Sequence, residues 1–412
     1  MSGRPPGIAA PQVLADLGRF YRRHLLEGVM PFWEARTRDC ECGGYLTCFD
    51  RMGNLTNTDK FIWFQGRQLY LFSALYRHVD RRPLWLELAR HGRDFIVGHA
   101  YAGAGRWNYR LNRAGAVREG TISVFTDHFV LQGLCEYALA SGERADLPLI
   151  AETFGAIERA TRDPNFRDIF HGTWSLRYQR HGVFMMAVNT CAVAEPLLGA
   201  ARTRPLVDLA LDQVLRVFAK DEHRILLESV GRDGSFVDEP EGRVVNPGHA
   251  LESTWFCLEE GLRRGDWGLV DRSVEVADWA WARGRDPERG GIFSYLDSGG
   301  GEPLRTDWHR ETGMFWHDKA WWVHAEALYA RALAAVETGS SERFGQFLEL
   351  HDWCQKYFYD PRYGEWYAEL WRDGRPKNDH KGTLWKAAYH LPRALMKLTL
   401  LFERAAAPQP AR

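Results

Sequence analysis

The sequence predicts an all-α fold in which twelve helices, joined as six antiparallel hairpins, close into a ring. Three observations carry that prediction. Six short glycine-bearing segments alternate aromatic and polar residues, as β-hairpins do, and recur roughly every 55–75 residues along the 412-residue chain. The stretches between them have room for two helices and carry apolar residues at helical spacing. Neither end carries the polar capping repeat that an open helical solenoid requires, which favours closure. The expected architecture is an (α/α)6 barrel, six inner helices within six outer ones, with short β-hairpins on the cleft side. Residues 1–412 are read as one catalytic domain, with 1–10 and 405–412 as flexible tails.

The elements follow in order. A helix over residues 11–33 opens the chain and supplies the twelfth member. The first hairpin, 43–53, precedes helices over 59–79 and 84–98; the second, 105–115, precedes 122–140 and 147–161. Hairpin 172–182 leads into 184–201 and 206–219, and 227–234 into 249–264 and 267–282. Hairpin 290–299 leads into 314–335 and 344–357, and 363–374 into the last helix, 381–402. The helix after each hairpin is the same member of every pair, so those six are expected to form one ring. Arg67, His249, Trp321, Trp322, Glu326 and His390 fall in early or middle turns of such helices and would face one cavity.

Composition narrows the function. A net charge of −1 argues against nucleic acid or an anionic membrane as partner, since both select basic surfaces. Aromatic residues make up 13% of the chain, with 17 Trp, which fits a large core or a cleft lined with flat faces for sugar rings. No apolar run approaches the ~20 residues of a membrane span, and residues 1–7 lack a signal peptide's apolar centre. Seven cysteines without repeated spacing read as reduced thiols in a cytoplasmic enzyme; Cys40 and Cys42 have no second pair to complete a zinc set. There is no nucleophile elbow, phosphate-cradling loop or dinucleotide fingerprint.

What remains is a pair of histidines about 140 residues apart, in Asn246-Pro-Gly-His249-Ala-Leu-Glu252 and Trp385-Lys-Ala-Ala-Tyr-His390-Leu-Pro-Arg393. Imidazole takes and returns protons near neutral pH, and two of them on opposite faces of a carbon suit an epimerisation. Glu252 shares a helical face with His249, and Arg393 with His390. A lone His-x-x-Glu does not make a zinc set, and no metal is expected. Pro392 should bend the helix after His390. Arg67 lies in the aromatic segment Trp63-Phe-Gln-Gly-Arg67, where a substrate oxygen or a structural carboxylate would be its partner. Trp321 and Trp322 offer stacking faces, Glu326 a carboxylate, and His324 a third imidazole or a structural hydrogen-bonder.

These segments, with Gly43-Gly-Tyr45-Leu-Thr, resemble the N-acylglucosamine 2-epimerase family from about residue 43 to 393. The resemblance implies an (α/α)6 barrel and cofactor-free proton transfer at the carbon beside a sugar's hemiacetal carbon, through a cis-enediolate. It implies His249 and His390 as the acid/base pair. Arg67, Glu252, Trp321, Trp322, Glu326, Trp385 and Arg393 would be substrate-binding, with His324 and Tyr45 as further candidates. An N-acylhexosamine is the implied substrate, ahead of glucose/mannose or a cellobiose-type disaccharide. Ala192 replaces a histidine that several isomerases and cellobiose epimerases carry, which lowers the aldose–ketose reading. The alternative functions are an aldose–ketose isomerase (mannose/fructose type) or a cellobiose 2-epimerase on the same scaffold, then a glycoside hydrolase with paired carboxylates and a non-catalytic binder. No glycine-rich segment answers to the ATP that modulates some members. Relatives are often homodimers, and no nucleic acid or membrane partner is implied.

Overall fold

Twelve principal helices order the computed structural model, which describes residues 8–166, 177–304 and 315–407. They are α1 (Pro11–Arg23), α2 (Ile62–His78), α3 (Pro83–Phe95), α4 (Val124–Ser141), α5 (Leu147–Arg162) and α6 (His181–Leu198). Then come α7 (Ala200–Asp212), α8 (Pro247–Arg264), α9 (Trp267–Gly284), α10 (Trp321–Thr338), α11 (Ser341–Tyr357) and α12 (His390–Ala406). α1 continues through a π-helical turn, His24–Val29, into Met30–Glu34.

Sequence character separates the two rings. α1 buries only a stripe, Leu14, Gly18 and Tyr21, as an outer helix facing water should. α4 is buried almost all round from Val124 to Ala138, and α6 is apolar enough to cross a membrane by composition, so both need neighbours on every side. The even-numbered helices form the inner ring: α2 packs on α4, α4 on α6, α6 on α8, α8 on α10, α10 on α12, and α12 returns to α2. Each odd-numbered helix packs outside an inner one, α1 against α12. The ring closes, as the missing end caps predicted.

The short strands join successive units. Lys60–Phe61, entering α2, pairs with Arg110–Leu111 of the second hairpin. Val244–Val245 pairs with Leu296–Asp297, and Lys319–Ala320 with Glu369–Leu370. Tyr178–Arg180, just before α6, pairs with Ser229–Gly231.

Three units share a buried device beneath these strands. Asp39, Asp286 and Asp360 each open a tight turn, accepting backbone N–H bonds on the side chain and donating N–H to the carbonyl of Gly44, Gly291 or Glu365. Each carboxylate accepts from a buried lysine at 2.9 Å, Lys60, Lys319 or Lys381. Each also accepts from an arginine of the following hairpin: Arg113, Arg372 or Arg51. Arg51 lies near the start of the chain and Asp360 near its end, so the clasp between consecutive units also shuts the ring. Burying such charges costs several kcal/mol per ion unless each is paired, and here every carboxylate faces two cations.

Five residues after each lysine a side chain fastens the backbone of the turn's exit. Gln65 bonds both backbone groups of Tyr45 at 2.8 Å, His324 accepts from Ile292 N–H at 2.9 Å, and Lys386 donates to the Trp366 carbonyl. The penultimate turn residue has positive φ in all three: Gly44 at 66°, Gly291 at 68°, Glu365 at 59°. Glutamate there is strained. It persists because Lys386, unlike Gln65 or His324, brings a buried charge, and Glu365 meets it at 2.9 Å while accepting from Trp33 Nε1 at 2.8 Å.

Some expected boundaries moved. Residues 381–389 are not helical, because Lys381 and Lys386 are committed to this device, and α12 starts at His390. Pro392 therefore sits in the first turn, where no N–H is needed, and bends nothing. α6 starts at His181, within the expected third hairpin, whose residues 172–176 lie outside the described ones. The α10 start expected at residue 314 also lies outside them; residues 319–320 are strand. α12 runs to Ala406, into the expected tail.

Candidate active site

The inner ring brings equivalent positions together. Six residues past the N-caps Phe61, Ser123, Arg180, Asn246 and Ala320 stand Arg67, Phe129, Met186, Glu252 and Glu326. Three charged residues at one register of a closed ring converge on its axis.

His390 is the first residue of α12, and its Nδ1 lies 2.7 Å from Glu326 Oε1. Glu326 already accepts from Trp255 Nε1 at 2.8 Å and from Arg393 Nη2 at 2.7 Å. It is therefore a carboxylate acceptor, and the ring proton of His390 sits on Nδ1, leaving Nε2 a bare base. Arg393 also donates to Glu252 Oε1 and to Tyr389 Oη, the latter at 2.8 Å. One guanidinium thus holds both carboxylates of the wall. Burial, aided by Arg67 and Arg393, depresses the His390 pKa well below the ordinary imidazole value, overriding the pull of Glu252.

His249 has the opposite setting. It lies in the first turn of α8, where its backbone N–H caps on Asn246 Oδ1 at 3.1 Å after Pro247 and Gly248 open the helix. Its Nδ1 is 3.1 Å from both oxygens of Glu228, which stands beside the strand Ser229–Gly231. Burial disfavours the imidazolium, but the facing Glu228 outweighs it and the His249 pKa is raised. The Glu228 carboxyl is itself driven far down by the two imidazoles it faces, against its own desolvation. One imidazole is kept neutral, the other favoured as a cation.

Trp322 packs against both imidazoles. Its ring centroid lies 5.1 Å from that of His249 and 5.6 Å from that of His390, tilted about equally to each. Arg67 completes the wall, its guanidinium 4.0 Å from the Phe129 centroid and 5.0 Å from that of Tyr389. No carboxylate among the described residues pairs with it, and its buried Nε has no partner there. Desolvation lowers its pKa to about 10. A structural carboxylate is thereby removed as the partner of Arg67.

Other expected residues lie elsewhere. Tyr45 is fully buried, its hydroxyl donating to the Leu88 carbonyl at 2.8 Å and its backbone held by Gln65. His324 is buried, with Nδ1 2.8 Å from the Ala320 carbonyl and Nε2 accepting from Ile292 N–H. Both ring nitrogens are thus committed to backbone, and burial depresses its pKa to about 3. Neither is a site residue; both belong to the repeated turn device. Trp321 is buried beside Lys386 and does not share the position of Trp322. Trp385 stands at the rim, half-exposed, edge-on to Trp63 at 5.8 Å. Glu228 and His181 were missed. Glu228 sits in the fourth hairpin, whose alternating pattern hid the carboxylate that faces His249. His181 opens α6 as His390 opens α12, a match visible only once helix starts are fixed.

The sequence profile described as N-acylglucosamine 2-epimerase (GlcNAc 2-epimerase) matches residues 44–394. The chain belongs to the N-acylglucosamine 2-epimerase family. It is an enzyme of the isomerase class. Among its relatives, the N-acylglucosamine 2-epimerase of Bos taurus is 30% identical over 383 residues, 90% of this chain and 87% of the relative. The cellobiose 2-epimerase of Ruminococcus albus is 23% identical, covering 92% and 97% of the two chains. In structure, the cellobiose 2-epimerase from Bacillus thermoamylovorans B4167 superposes with a TM-score of 0.80 at 17% identity, covering 93% of this chain and 99% of that one. The likeness agrees with the (α/α)6 barrel.

Proposed function

We propose that this family member interconverts N-acyl-D-glucosamine and N-acyl-D-mannosamine at C2, without a required cofactor. The observation that carries the reading is the flanking of Trp322 by two imidazoles in opposite electrostatic settings. Support for an N-acylhexosamine comes from the Bos taurus relative. In the open-chain sugar, His390 Nε2 removes the C2 proton and the electron pair moves onto the C1 carbonyl oxygen. The resulting enolate, a cis-enediolate in the case of a free aldose, is met by the unpaired Arg67 guanidinium, a preorganised positive charge. His249, protonated against Glu228, returns a proton to the opposite face of C2, giving the 2-epimer. The reverse reaction exchanges the two roles. Trp322 and the rim residue Trp385 supply flat faces for the sugar, and Glu326 with Arg393 holds His390 in its reactive tautomer.

A glycoside hydrolase fits less well: Glu252 and Glu326 are both bound by Arg393, so neither is free as a general acid. The testing experiment is proton NMR in D2O with N-acetylmannosamine, N-acetylglucosamine, mannose and cellobiose. Deuterium entering C2 as the epimer of N-acetylmannosamine appears is the expected result. A ketose signal would replace the epimerase by an isomerase, and cellobiose as sole responder would change the substrate.

A further inference from the structure

Two groups of three ligand-capable side chains stand in the cavity wall, Glu252–Glu326–His390 and His181–Glu228–His249, the ligand atoms of each within 4.8 Å of one another. The first is already neutralised, because Arg393 donates to both of its carboxylates. In the second, the ion-pair partners of Glu228 among the described residues are two imidazoles.

Proton placement in this second group leaves a gap that a cation fits. His181 is completely buried at the start of α6. Its Nε2 lies 2.8 Å from Ser253 Oγ, and that hydroxyl lies 2.7 Å from the His249 carbonyl oxygen. A carbonyl only accepts, so the single hydroxyl proton goes to it and His181 Nε2 must be the donor to Ser253. A neutral His181 then carries a bare lone pair on Nδ1. That atom has no hydrogen-bond partner among the described residues and faces Glu228 Oε1 at 3.6 Å, too long for a hydrogen bond. A buried lone pair opposed to a carboxylate is repulsive until a positive charge enters between them.

The dimensions suit a small dication. Tetrahedral zinc with nitrogen and oxygen ligands at about 2.0–2.1 Å places those ligands about 3.3 Å apart. Here His249 Nδ1 is 3.1 Å and His181 Nδ1 is 3.6 Å from the carboxylate between them. The Ser253 bond supplies what such a ligand needs behind it, since a metal-bound imidazole donates its other N–H to a fixed acceptor.

We infer that His181, Glu228 and His249 form a site for a first-row transition-metal dication such as Zn2+, whose occupation switches the enzyme off. The inhibition half of this rests on the acid/base role given to His249 above. The metal displaces the Nδ1 proton of His249 into solvent and bonds that nitrogen. The remaining ring proton is then confined to Nε2, where a neutral metal-bound imidazole neither accepts a proton nor readily gives one up. His249 keeps its place in the cavity and loses its chemistry.

The test begins with the chelator-treated full chain titrated with ZnCl2 by calorimetry in two buffers of different ionisation enthalpy, and with CoCl2 by visible absorption. One ion per chain, release of about one proton and a tetrahedral Co2+ spectrum are expected. C2 exchange should fall by at least about tenfold over the same range and recover with EDTA. His181→Asn should weaken Zn2+ binding, and inhibition relative to its own metal-free exchange rate, at least about tenfold; Ser253→Ala, which frees the tautomer of His181, should weaken binding about tenfold. No binding by the wild type, or binding equal in all three chains, overturns the inference. Binding lost in the variants without any effect on activity refutes the switch and leaves the site. Zn2+ binding by a chain that epimerises no sugar leaves the site standing and sinks the epimerase reading instead.

Discussion

His390 Nδ1 and Glu326 Oε1 lie 2.7 Å apart, yet the pKa of this imidazole is depressed, because burial, with the neighbouring Arg67 and Arg393 charges, outweighs the pull of Glu252. His249, facing a Glu228 whose ion-pair partners among the described residues are imidazoles and not a guanidinium, is biased the other way. Two copies of one side chain thus acquire complementary roles from their second neighbours.

Each histidine should therefore control one face. His249→Asn is expected to abolish epimer formation, by about 10²–10⁴-fold, while still exchanging the C2 proton of the epimer whose C–H faces His390. His390→Asn should show the converse on the other epimer. Deuterium incorporation by NMR, followed separately for each pure epimer, checks this; loss of all exchange in both variants would contradict the two-base arrangement.

The pH profile of kcat/KM follows from the same asymmetry. His390 is neutral above its lowered pKa, so activity in this direction is lost as pH falls through that value, below ordinary imidazole. His249 is protonated below its raised pKa, so activity is lost as pH rises through that value. Glu228→Gln removes the charge that raises it, and should move the alkaline limb to lower pH with the acid limb in place. The profiles are to be recorded with EDTA present; an unmoved alkaline limb would free His249 from Glu228.

Arg393→Met should be strongly destabilising. It leaves Glu252 and Glu326 as facing buried carboxylates without their cation, at a cost of about 3–5 kcal/mol. Urea denaturation monitored by tryptophan fluorescence gives the value. A loss under about 1 kcal/mol would show that the cluster is solvated in solution.

The strained Glu365 gives a double-mutant test. Glu365→Gly alone relieves a positive φ but leaves Lys386 buried and unpaired, and should cost about 3–5 kcal/mol. Glu365→Gly with Lys386→Gln reproduces the Gly44/Gln65 pairing and should recover much of that loss, short of the bond to Trp33. Additive single losses in the denaturation cycle would disprove the coupling.

The order of elements and the ring of twelve helices were legible in the chain, because helical period and hairpin spacing are local properties; so was the set of histidine, arginine and glutamate side chains that the fold brings together. The start of α12 was not. Whether Lys381 and Lys386 continue a helix depends on Asp360 and Glu365, and residues 381–389 look helical until those carboxylates are placed. Tyr45 and His324 misled for a related reason: a residue required by a repeated buried turn reads in sequence like one required by chemistry. Glu228 could not be found at all from its neighbours, since its partner lies 21 residues on and only the strand beside it brings the two together. The chain alone fixed which imidazoles and carboxylates are available for the proposed proton transfer and how the helices repeat. Which imidazole is held toward the neutral form and which toward the cation was decided by tertiary structure, because a pKa depends on the burial and charges around a group rather than on its place in the chain.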